Sequence, residues 1–296
     1  MTRMTTLRAF KGNSQSFKDT LISLFIGIFA LAWLFPIVWT LCTSLHPYKD
    51  VLVHGIVGKP SEINLDNYVE ALHKMQVLRY FLNTLIIIAP TIFFTLLLSS
   101  WAAFVLTKFH IRFHLTLLLF FTAGSMFPAQ VIYYPIFKAY ILIGDVFGDR
   151  TILYNNYLGV ILVHIAMQVG FATFVLHSHM QRIPREFTEQ AQVDGASIWR
   201  QFWTVIIPLL RAPLATLALL LTTILYNDFI VGWSLLKSDS LFPITTSLTR
   251  VGAFNRVIPD QGVLAAGAFM VALPLIILFL ALKRHFASSV MFGTSK

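Results

Sequence analysis

Six stretches of this chain are strongly apolar, at about residues 21–41, 81–106, 115–142, 158–176, 209–229 and 263–282, and polar or proline-bearing segments separate them. An α-helix needs roughly 20 apolar residues to cross a hydrocarbon core about 30 Å thick, and each stretch is near that length. A backbone inside lipid must satisfy its own hydrogen bonds, which helices do. The pattern therefore predicts an all-α integral membrane protein of about six spans, with a tail over residues 1–16 and one transmembrane domain over 17–296. The tail carries Arg3, Arg8 and Lys11 with no apolar run and no small-residue cleavage pattern. The first span is too long for a signal-peptide core, so it is expected to remain as a helix.

Pro36, Pro90 and Pro274 lie within spans, and the third span carries Pro128 and Pro135 with Gln130, Tyr133 and Tyr134 between them. Proline and polar groups at membrane depth are tolerated where a helix lines a cavity or packs on neighbours, which makes this helix a candidate for lining a pathway. His164 and Gln168 in the fourth span, and Tyr226-Asn227-Asp228 with Trp233 near the fifth, add further polar and aromatic groups. Interfacial belts and interhelical contacts use the same residue types, so the pattern leaves both roles open.

Between the fourth and fifth spans lies a long charged, helix-forming segment, Pro184 to Pro213. Pro184 suits a first helical turn, where its missing N–H costs nothing, and Glu186 and Glu189 set carboxylates at the positive end of the helix. Asp194-Gly195 then breaks the helix, because glycine accepts the angles of a sharp turn, and Ser197 is placed to cap a second one. Phe187, Ala191 and Val193 or Asp194 fall roughly one turn apart, which sets a small apolar strip beside a carboxylate-bearing strip on a helix too short to be stable alone. Such a helix needs a partner.

Glu189-x-Ala191-x-x-Asp194-Gly195-Ala196, followed by Pro208, resembles the EAA loop of the inner-membrane permease subunits of ABC importers, whose pattern is E-A-A-x-x-x-G and then I-x-L-P. Gln190 stands at the first alanine and Ile207 at the leucine before the proline, changes that alter size and helix propensity little. Tyr226-Asn227-Asp228-Phe229, with Trp233 and Leu235 after it, is similar to the W-N-D-F-x-x-P-L signature of the carbohydrate-uptake group, to which the second permease subunit of the maltose transporter belongs. Tyr226 stands at its tryptophan and Gly232-Trp233 near its proline.

The resemblance implies the type I ABC importer permease fold, with a coupling loop over 184–208 between spans four and five. It implies that Glu186, Glu189, Ala191, Asp194, Gly195, Ala196 and Pro208 couple the chain to an ATPase. Gln130, Tyr134, Gln168, Tyr226, Asn227, Asp228 and Trp233 become candidates for a sugar pathway, since amides match hydroxyls and aromatic faces cover sugar rings. The implied partners are a second, homologous permease forming a heterodimer, two copies of an ABC ATPase and an extracytoplasmic solute-binding protein. ATP and Mg belong on the ATPase, with no cofactor in this chain. A sugar or oligosaccharide is the expected cargo, with a polyol, a sugar acid or glycerol phosphate as alternatives.

Composition agrees with life in lipid: hydrophobic residues are 57% of the chain, charged residues 12%, and the mean hydropathy is +0.74. The net charge is +9. With both termini, the 107–113 loop and the 177–211 stretch on one side, that side holds 13 Lys and Arg against 9 opposite, and the whole +9. The positive-inside rule makes it the cytosolic side, with both termini cytosolic, and the resemblance implies a bacterial inner membrane. Topology thus explains the basic excess. Aromatic and basic residues do not interleave on any polar segment, so no nucleic-acid partner is implied.

Other chemistries fit poorly. Cys42 is the single cysteine, inside the first span, and His177 with His179 is too small a set for a metal site. In Gly55-Ile56-Val57-Gly58-Lys59-Pro60-Ser61 the glycine spacing is wrong for a phosphate loop and proline follows the lysine. Asp194-Gly195-Ala196 shares the opening of the CDP-alcohol phosphotransferase motif, but no arginine follows in place and the next acid is Asp228. Without a carboxylate cluster to hold a metal against a diphosphate, no catalytic residue is expected. A secondary transporter would show repeated spans and several intramembrane ionisable groups, and only His164 and Asp228 qualify.

Overall fold

The computed structural model describes residues 3–54, 62–109, 111–252 and 261–291; the glycine-bearing 55–61 segment and Lys296 lie outside them. Among the described residues the regular elements are helices. In chain order they are α1 (Arg3–Ser44), α2 (Tyr48–His54), α3 (Asp66–Met75), α4 (Val77–Lys108), α5 (His114–Ser125), α6 (Ala129–Phe147), α7 (Tyr157–Met180), α8 (Glu186–Val193) and α9 (Ile198–Gln201). A π-helical turn (Phe202–Ile206) leads into α10 (Ile207–Leu209), then α11 (Arg211–Tyr226), α12 (Ile230–Leu235), a 3-10 turn (Asp239–Leu241), α13 (Ile244–Gly252) and α14 (Gln261–Met291).

Among the described residues four helical segments are long and apolar enough to cross a membrane alone: Lys18–Ser44, Val77–Lys108, Tyr157–Met180 and Gln261–Ala281. Two bent pairs raise the number to six if each counts as one span. The third expected span, about 115–142, is one of these pairs, with α5 and α6 meeting at 91°. At 1.5 Å per residue α5 is only about 18 Å long. Pro128 ends it, because the residue before a proline is pushed out of the helical region, and Pro128 itself stands extended at φ −60° and ψ 131°. The second pair, Ile198–Leu209 and Arg211–Tyr226, bends by 74°. Here Pro208 has no N–H for the Thr204 carbonyl and its ring crowds that oxygen. The ladder opens into the π turn just before it.

The chain forms two compact units. In the first, which holds Met1–Ala71 and Phe254–Phe269, the buried Asn67 amide donates to the carbonyls of Ser44 at 3.0 Å and His46 at 2.8 Å. These bonds fix the start of α3 against the end of α1.

In the second, α4 and α7 pack along each other, α5 lies on α7, α11 on both, α12 on α6 and α13 on α4. Buried hydroxyls return their protons to carbonyls one turn back, Thr91 to Ile87 at 2.7 Å and Thr173 to Val169 at 2.7 Å, so polar side chains cost little at depth. Gly170 lets α5 approach α7 closely: a Cβ there would run into the Phe121 carbonyl and lie 2.5 Å from Ser125 Oγ, the oxygen that accepts from Phe171 N at 3.1 Å.

The segment between α12 and α13 is held at three points. The Asn83 amide donates to the carbonyls of Ser240 at 2.8 Å and Phe242 at 3.0 Å, and Thr84 Oγ1 accepts from Ile244 N at 2.8 Å. Asn155, in the left-handed region at φ 56°, accepts from Lys237 N at 2.8 Å and Ser238 N at 2.9 Å.

Candidate functional site

None of the residues of α8 is buried. Glu186 and Glu189 occupy its first turn, where the helix dipole favours carboxylates, and both are exposed. They make no ion pair among the described residues. The helix ends in a Schellman motif: Gly195 N donates to Gln192 O at 3.0 Å and Ala196 N to Ala191 O at 2.9 Å. That closure puts Gly195 at φ +76°, and Asp194 sits at the cap immediately before it. Ser197 Oγ then accepts from Arg200 N at 3.3 Å and starts α9.

The stretch from α9 to α10 is anchored in the interior, in contrast to α8. Phe202, Ile206 and Leu210 join Phe104 of α4, Leu176 and Met180 of α7 and Leu217 of α11 in one apolar cluster. Trp101 stacks on Phe202 at 4.2 Å and on Trp199 at 4.9 Å. Pro208, half-buried, ends this anchored stretch just before the 74° bend. The exposed helix thus stands on a base packed into three membrane helices.

Gln201 was invisible to sequence reasoning as a functional residue. Its side chain is 2% exposed, its amide nitrogen donates to Ala196 O at 2.8 Å and its Oε1 accepts from Lys108 Nζ. It links the turn after α8 to the end of α4. A buried glutamine between two basic segments gives no sequence signal of that kind.

The seven pathway candidates are spread over α6, α7 and the α11–α12 region. Gln130 is exposed, and Tyr134 is 56% exposed with Lys138 Nζ 4.8 Å from its ring centre. Gln168 is half-buried in α7. Tyr226 is buried and donates its hydroxyl to Val271 O at 2.6 Å, whereas the exposed Asn227 returns its amide to Thr223 O at 2.8 Å. Trp233, half exposed, stacks between Phe229 at 5.6 Å and Phe242 at 5.8 Å.

Asp228 is engaged on several sides. Its carboxylate accepts from Gly232 N at 3.2 Å, which caps α12, and lies 3.7 Å from His164 Nε2. Its carbonyl accepts from Thr245 Oγ1 at 2.6 Å. The pairing of His164 with Asp228 joins two residues that the sequence offered only as separate intramembrane ionisable groups.

A model of the family described as "binding-protein-dependent transport system inner membrane component" matches residues 95–291. The diacetylchitobiose uptake system permease protein NgcG of Streptomyces coelicolor is 26% identical over 259 residues, covering 88% of this chain and 83% of that protein. The melibiose/raffinose/stachyose import permease protein MelC of Bacillus subtilis is 25% identical over 277 residues, covering 93% and 96%. Among solved structures, a chain of a bacterial ABC transporter that imports the acidic polysaccharide alginate superposes with a TM-score of 0.77 at 24% identity, over 92% of this chain and 98% of that one.

Proposed function

This chain belongs to the family of binding-protein-dependent transport system inner membrane components, and on that premise we propose that α8 is the helix through which a separate ATPase drives it. The chain is a membrane permease of an ABC importer, and a binding protein delivers its solute. Relatives named for diacetylchitobiose and for melibiose, raffinose and stachyose support a sugar or oligosaccharide as that solute.

The observation that carries the coupling role is the contrast between α8, none of whose residues is buried, and the buried base beneath it. A short helix of this kind gains stability only by docking. Glu186 and Glu189 are free to meet cations of the ATPase, and the smallness of Ala191 allows close approach of backbones. Motion of α8 passes to α4 through the Ala196–Gln201–Lys108 chain and to α7 and α11 through the Phe202 cluster.

In the full assembly this chain pairs with a homologous permease, two ATPase copies hold ATP and Mg, and ATP on those copies drives alternating access. The α8 side is cytosolic, as are both termini, because the Lys and Arg excess lies there. Exposed Gln130, Tyr134, Asn227 and Trp233 then face the companion permease or the solute. Tyr226, through Val271 O, and Asp228, through Gly232 N and His164, hold the surrounding helices in place.

The test is to purify the transporter with Glu189→Ala in this chain and measure ATPase co-purification, transport and binding-protein-stimulated hydrolysis in liposomes. Loss of association, or of stimulation with association intact, supports the role. Wild-type values in all three assays remove it.

A further inference from the structure

Beneath α8 lies a cavity of about 400 Å³, walled by the ends of α4 and α7, the start of α5 and one side of α8. Its charged and titratable lining is Lys108, His114, His177, Arg185 and Glu189. Two fixed cations thus face one carboxylate. His177 is 4% exposed, and its ring makes no hydrogen bond among the described residues; its one ring neighbour is His114, 6.5 Å away between centres. The ring stands at the wall of this polar cavity, within reach of an occupant. Arg185 makes no ion pair among the described residues, and Lys108 gives one proton to Gln201 while an ammonium carries three.

From these groups we propose that the cavity binds a phosphate group borne on a hydroxylated carrier. Lys108, Arg185 and His177 supply donors to the phosphate oxygens, the charge-assisted kind of bond that holds phosphates best. Before an ATPase docks, Glu189 accepts from hydroxyls of the carrier, which accounts for one acid among the cations. A volume of 400 Å³ lies in the range of small-molecule sites. Two sources offer this chemistry on the cytosolic side: the glycerol phosphate headgroup of an anionic lipid and a free sugar phosphate.

An occupant bridges α8 to the ends of α4 and α7 and so restrains α8. That consequence rests on the proposed coupling role of α8, whereas the binding itself does not. The feature to be tested is therefore binding to this chain alone, without an ATPase.

The full chain is placed in phosphatidylcholine nanodiscs with glucose 6-phosphate or glucose, and separately in nanodiscs containing phosphatidylglycerol. Binding is read by calorimetry and by the thermal unfolding midpoint. Glucose 6-phosphate, but not glucose, is expected to bind and to raise the midpoint, or phosphatidylglycerol alone does so. The first outcome names a soluble ligand and the second a lipid headgroup. Arg185→Gln on the exposed rim and His177→Asn in the wall are each expected to weaken the effect at least tenfold. No stabilisation by either phosphate source, or equal stabilisation of wild type and both variants, overturns the site.

Discussion

Replacing Gly195 isolates the geometry of the coupling turn from its contacts. The residue sits at φ +76°, and a Cβ built there meets nothing within 4 Å, so a new side chain has room and the whole penalty is conformational. An L-residue in that left-handed region costs roughly 1–2 kcal/mol, more when β-branched. Alanine should therefore shift the turn away from its native closure by a factor of about 5–30, and valine further. Asparagine, which adopts these angles readily, should behave nearly as glycine. When the turn opens, the bonds from Gly195 to Gln192 and from Ala196 to Ala191 are lost, and α8 no longer holds its angle to α9. The assay is hydrolysis stimulated by loaded binding protein in proteoliposomes, with insertion checked by protease protection. The expected order of stimulation is Gly195 wild type and Gly195→Asn, then Gly195→Ala, then Gly195→Val. Wild-type stimulation in Gly195→Val would refute the reasoning.

Other perturbations separate the parts. Gly170→Leu wedges α5 from α7 at the Phe121 carbonyl and should lower the unfolding midpoint, with a loss on the order of 1–3 kcal/mol. Asn155→Ala removes the acceptor of Lys237 N and Ser238 N, costing about 1–3 kcal/mol, and should speed hydrogen exchange at those two amides while leaving α8 unchanged. At the turn after α6, hydrogen bonds from the Thr151 hydroxyl, at 2.6 Å, and amide, at 2.8 Å, hold the Asp149 carboxyl below its ordinary value. That order is present above the usual carboxylate range and is lost as pH falls through the lowered value, seen as faster exchange of the Thr151 amide. Substituting Gln130, Tyr134 or Asn227 by alanine should change uptake or solute preference; normal transport by all three would leave the site to the companion permease.

The turn at Asp194-Gly195 and the cap at Ser197 were legible because their signals are local: a glycine that can take positive φ and a hydroxyl one step before a helix. The break within the third expected span was only half legible. Pro128 marked an irregularity, yet the 91° angle depends on how α5 seats on α7 through Gly170, a contact that no single-sequence pattern reports. The π turn follows from Pro208 but needs the packed Phe202 and Ile206 to be retained. Asn83 and Asn155 lie in stretches where nothing near in sequence shows their carbonyl and amide partners, which are supplied by the loop after α12. Gln201's links and the pairing of His164 with Asp228 carry no sequence signal for the same reason. Their chemistry is made by residues distant along the chain.

The most direct measurement places a photoreactive benzoylphenylalanine at Glu189 on α8 and, as control, at Lys237 in the segment after α12, within the assembled transporter in native membrane. A crosslink to the ATPase is expected from position 189 and none from position 237. A position-189 probe that captures no ATPase while the complex is intact would contradict the coupling role of α8.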